Sequence, residues 1–103
     1  MSNVTDPQLS PASRVNIAEG VVFRDLQGEL VLLNLTTGVY FGLDRVGTRI
    51  WNLLETGQTL SQVLSLLLEE YAVTEAQGRQ DLECFISQML EKGLMAIAHE
   101  TVS

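Results

Sequence analysis

The sequence predicts an α+β fold, with three short antiparallel strands followed by three helices. Three observations predict it. First, residues 21–43 hold three runs of β-forming residues, broken at Gln27-Gly28 and at Thr36-Thr37-Gly38. Second, from Val46 onward the apolar residues recur every three or four positions, the period of a helix face. Third, the strands precede the helices instead of alternating with them. That order favours an antiparallel sheet with the helices on one side.

Each element can be justified in turn. Met1 to Ala18 is polar, carries Pro7 and Pro11 and shows no period, so residues 1–18 are expected to be a flexible tail. Val21–Leu26 is the first strand, and Gly28 allows a tight hairpin into Glu29–Leu35. That second strand is apolar on both faces until Asn34, which suits a central position with little solvent on either side. Val39–Leu43 closes the meander, with Val39, Phe41 and Leu43 alternating and Tyr40 on the opposite face. Asp44 is a good N-cap for a helix over Arg45–Glu55, which Thr56-Gly57 ends. Trp51 falls one position off the main stripe and is expected to cover the edge of the core. Thr59–Gln62 reads as a capping box opening a helix to about Glu70. Thr74–Gln77 reads as a second box, although Gly78 in the first turn costs about 1 kcal/mol relative to Ala and delays a firm helix to Arg79. Gly93 ends this third helix, Leu94–Ala98 is a candidate short C-terminal strand, and residues 99–103 read as a tail. The domain is therefore expected over residues 19–98, as a winged-helix-like outline.

Composition narrows the function. The chain has 103 residues, 46% of them hydrophobic, which suffices for one domain with a genuine core. Its formal net charge of −7 disfavours nucleic acid and anionic membrane as partners. A winged-helix outline invites a DNA-binding reading, yet the third helix carries Arg79 and Lys92 against Glu75, Asp81, Glu83 and Glu91. A recognition helix needs the opposite balance. The N-terminus lacks a basic start and an apolar run, so no signal peptide is expected and a cytoplasmic protein is the default. Cys84, the single cysteine, is expected to be a small buried hydrophobe, and with His99 it makes too few ligands for zinc. There is no Walker A or G-x-G-x-x-G pattern and no evident acid/base pair, so neither an enzyme nor a bound cofactor is expected.

What the sheet does offer is an edge. In a simple meander the strand at Val39–Leu43 has one side without a partner, and it contains no proline or lysine to blunt it. Such an edge can accept an extended peptide as an added strand.

Several blocks of the chain, in their order and spacing, resemble the PqqD family. They are Asn34–Leu43, Val46–Leu54, Thr59–Val63, Leu66–Tyr71, Asp81–Ile86 and Leu90–Leu94, within a span from about Val21 to Met95. The resemblance implies a non-catalytic peptide chaperone. Such proteins bind the leader segment of a ribosomally made, post-translationally modified precursor and present it to a modifying enzyme or leader protease. Pyrroloquinoline quinone biosynthesis and lasso-peptide pathways both use them. In the family the leader adds as a strand and packs against the third helix. Carried onto this sequence, the edge is Val39, Tyr40, Phe41, Gly42 and Leu43. Leu82, Phe85 and Met89 form the pocket wall, and Asp81 and Gln88 its polar rim. Met89 is favoured as an adaptable wall, whereas Leu82 and Phe85 also fit the core. Two other functions compete: a winged-helix DNA-binding regulator, and a homodimer that pairs the same strand edge with its own copy. Monomer and homodimer both stay open.

Overall fold

Gln27 and Gly28 both adopt positive φ, 60° and 88°, as a two-residue hairpin turn requires when it matches the twist of its strands. The Asp25 carboxylate accepts the Gly28 N–H at 2.7 Å and holds that turn. It sits in a computed structural model that describes residues 10–98 of the chain. The elements are β1 (Arg14–Ile17), β2 (Val21–Leu26), β3 (Glu29–Asn34), β4 (Val39–Gly42), α1 (Arg45–Glu55), α2 (Leu60–Glu70), α3 (Glu75–Glu91) and β5 (Met95–Ala98). One antiparallel sheet has the order β2-β3-β4, and a second pairs β1 with β5. The α+β class, the meander, the three helices and the short final strand all agree with the sequence reading.

The strand β1 does not. Arg14–Ile17 falls in the stretch expected to be a tail, yet Val15 lies opposite Ile97 and Ile17 opposite Met95. Val15 is fully buried. Residues 10–13 are also tied in. Leu60 N–H donates to the Ser13 carbonyl and Ser61 N–H to the Pro11 carbonyl, both at 2.9 Å. These are two of the donors that a helix start leaves without partners. Gln62 N–H meets the Thr59 hydroxyl, which completes the first turn of α2. Arg14 Nε donates to the Gly57 carbonyl just past α1. The rest of the expected N-terminal tail, and the C-terminal one, lie outside the described residues.

Three further expectations are corrected. Trp51 is not at the core's edge but fully enclosed, with the Phe23 ring edge-on at 5.8 Å. The strand β3 is not covered on both faces: Leu30 and Leu32 are buried under the helices, whereas Val31 and Leu33 keep partial contact with solvent. The helix α3 is regular from Glu75, and only half a capping box opens it. Thr74 Oγ1 accepts from Gln77 N–H, but the Gln77 amide turns forward to Asp81 at 2.8 Å. Gly78 is tolerated there because α2 passes close by. A Cβ at Gly78 would stand 3.1 Å from Leu68 Cδ2 and 3.2 Å from Leu64 Cδ1.

Polar ties fix the meander to the helices. Asn34 is buried, accepts the N–H groups of Thr36 and Thr37 at 2.8 and 3.1 Å, and donates to the Gly93 carbonyl at 2.9 Å. It thus shapes the β3–β4 turn and pins it to the end of α3. Asn34→Ala is expected to lower unfolding stability by about 1–3 kcal/mol in a urea titration, because it leaves three part-buried backbone groups without their partner. Arg49 grips Glu70 with two nitrogens at 2.6–3.2 Å. Those hydrogen bonds hold the Glu70 carboxyl below the ordinary carboxylate range. The tie is complete above the ordinary pKa and fades as pH falls through the lowered one.

Candidate functional site: the β4 edge and its groove

The hydrogen-bond parity of β4 follows from one bond. Leu43 N–H donates to the Leu30 carbonyl at 2.8 Å, and Leu32 lies opposite Phe41. In an antiparallel pair, alternate residues bond to the same neighbour. Phe41 and Leu43 therefore point their backbone groups at β3, while Tyr40 and Gly42 point theirs away. Among the described residues, the sheet order places no strand on that outer side.

A groove of about 360 Å³ runs beside this edge. Its apolar lining comes from Phe41 and Leu43 on one bank, Val46 and Ile50 of α1 at the floor, and Phe85 of α3 on the other bank. The spacing explains the meeting. Val46 and Ile50 are one turn apart on α1, and Asp81, Phe85 and Gln88 form one stripe of α3. Asp44, Asp81 and Gln88 edge the groove. The Asp44 carboxylate caps α1 by accepting Gly47 N–H at 2.8 Å, so the cap also fixes the angle between strand and helix. At the far end, Lys92 Nζ lies 5.2 Å from the centre of the Phe41 ring, within range of a cation–π contact.

The predicted site residues divide into three groups. Phe41, Gly42, Leu43, Asp81, Phe85 and Gln88 all line the groove. Val39 and Tyr40 are exposed on the same strand but outside its lining, with Tyr40 at 69% exposure. Leu82 and Met89 are buried in the core and do not reach the groove, Met89 being fully enclosed. Their stripe on α3 faces inward, so the adaptable thioether is a packing group. Cys84 reverses its expectation: it is exposed and lines the groove. Val46 and Ile50 are additional groove residues that the sequence reading placed only in the core-facing stripe of α1. Val46 is 44% exposed, which is unusual for valine on an apolar helix face and marks the opening.

A larger cavity, about 470 Å³, lies between α2 and α3 over Leu60, Leu64 and Leu68. Among the described residues no strand residue lines it, so it offers side chains but no row of backbone donors and acceptors.

Comparison with known proteins gives this arrangement a lineage. The family described as Coenzyme PQQ synthesis protein D (PqqD) matches residues 29–95. The chain belongs to the PqqD family. Two solved structures share the family's fold with this chain. One, TbiB1 in complex with the TbiA(beta) leader peptide, is 37% identical, with a TM-score of 0.75, 84% of this chain covered and 99% of that one. The other is a lasso peptide synthetase B1 complexed with the leader peptide, 21% identical, with a TM-score of 0.75 and coverages of 80% and 96%. No curated protein matches the chain. Among the described residues, no helix is long and apolar enough to cross a membrane.

Proposed function

We propose that this PqqD-family protein binds the leader segment of a ribosomally made precursor peptide as an extra strand on β4. It then presents that peptide to a modifying enzyme or leader protease of the same pathway. The observation that carries the reading is the unpartnered side of β4, with the Tyr40 and Gly42 backbone groups turned outward beside an apolar groove. Backbone bonds supply affinity for any extended chain, and the groove selects by side chain. Support also comes from the 37% identical relative, which was captured with a leader peptide.

The role is to hold the peptide, not to transform it. Among the described residues, the groove's lining includes one nucleophile, Cys84, and no histidine to activate it. Ribosomes release precursors in the cytoplasm, and the protein works there.

The test is a two-dimensional NMR titration of the labelled protein with the TbiA(beta) leader peptide, and with the leader encoded beside its own gene. The expected result is amide shifts at Tyr40, Gly42 and Cys84–Gln88. Shifts confined to β1, β5 or α2 would remove the site from β4. A second reading, self-pairing of β4 in a homodimer, draws on the same free edge. Light scattering separates the two, since a dimer that peptide leaves intact would favour self-pairing.

A further inference from the structure

The β4 groove carries opposite charges at its two ends. Asp44 and Asp81 edge the end where β4 runs into α1. Each carboxylate uses one oxygen internally, Asp44 toward Gly47 N–H and Asp81 toward the Gln77 amide. Lys92 lies outside the lining itself but stands over Phe41, which does line it, and makes no ion pair among the described residues. Arg49, one turn along α1 from Arg45, is turned away to Glu70 on α2.

We propose that the groove reads the charge polarity of its peptide: a basic residue against Asp44 and Asp81, followed toward the C-terminus by an acidic residue against Lys92. This rests on the leader-binding reading above and adds the direction and spacing of the ligand. The direction follows from β4, which runs from the Lys92 end toward the Asp44 end. Antiparallel pairing gives the more stable ladder per residue, so the guest is placed antiparallel and enters with its N-terminal part at the aspartates. The spacing follows from α3. From Asp81 to Lys92 the helix rises about 16 Å at 1.5 Å per residue. A strand covers that length in about five residues at 3.4 Å each. Side chains facing one bank recur every second residue, so the basic and acidic residues stand about four or six positions apart. Exposed charge pairs of this kind change affinity by about two- to fivefold, enough to bias register without supplying the bulk of binding.

The experiment is selection of random 15-residue peptides displayed on phage, using the intact protein, Lys92→Glu, Asp81→Lys and Tyr40→Pro as separate baits. Lys92 and Asp81 are both exposed, and circular dichroism checks that each variant keeps its fold. The intact protein is expected to enrich peptides with a base four or six positions before an acid. Lys92→Glu is expected to erase the acid preference, and Asp81→Lys the base preference, each by about two- to fivefold in enrichment. Enriched peptides that depend on the Tyr40 N–H but ignore both charge swaps would overturn this inference and leave leader binding standing. No enrichment, or enrichment indifferent to Tyr40→Pro, would overturn both.

Discussion

Tyr40→Pro is expected to weaken leader binding by about tenfold or more while the domain stays folded. The Tyr40 N–H points away from β3, so its loss breaks no bond within the sheet, and proline is tolerated on an edge with that orientation. For the guest strand the change is severe. One backbone bond disappears, worth about 0.5–1.5 kcal/mol net, and the ring intrudes where the peptide carbonyl must sit. Together these reach about 1.4 kcal/mol, the equivalent of tenfold in Kd. Calorimetry with the leader peptide measures it, with Tyr40→Ala as control, because alanine keeps the N–H and removes only the exposed ring. Equal affinities for the two variants would mean that the peptide does not use this edge. Phe41→Pro should behave differently, since the Phe41 groups bond to β3 and their loss damages the sheet itself.

The second large effect concerns stability. Trp51→Ala is expected to destabilise the fold by about 3–5 kcal/mol, the usual range for an aromatic core truncation. The ring is fully enclosed and meets Phe23 edge-on. Small domains hold only about 5–15 kcal/mol in total, so the variant stands near the limit of folding. Chemical denaturation followed by circular dichroism checks it. Trp51→Phe is expected to cost clearly less, because the Trp51 Nε1–H has no hydrogen-bond partner to lose among the described residues. A Trp51→Ala variant as stable as the parent would show that the sheet and helices close without this ring.

Most of the fold was legible because it is built from local signals. The Gln27-Gly28 turn, the Asp44 cap and the Thr59–Gln62 box each act within three or four residues, and each is present in the structure. What escaped was long-range. Four residues, Arg14–Ile17, are too few to display a period, and their partner lies about eighty positions away in β5. The same holds for Pro11 and Ser13, whose carbonyls serve α2 from afar. Within the site, the free strand edge was readable from strand order alone. The orientation of α3 was not. Its residues 81–89 are apolar or neutral over more than half the circumference, so Met89 and Cys84 could be exchanged between core and groove without violating the pattern. The packing of α2 against Gly78 settles that rotation, turning Met89 inward and Cys84 outward.

The pairing of β1 with β5 brings Arg14 directly across from Ala98. In an antiparallel ladder such opposed Cα atoms stand about 4.5–5.5 Å apart. The start of β1 and the end of β5 are thus side by side, like the prongs of a plug. A host enzyme could carry this unit inside one of its own surface loops with two brief linkers and little distortion. A circular permutant joined there and reopened at Gly57-Gln58 should still fold. Architecturally, then, the same unit is suited to standing alone or to being built into a longer chain.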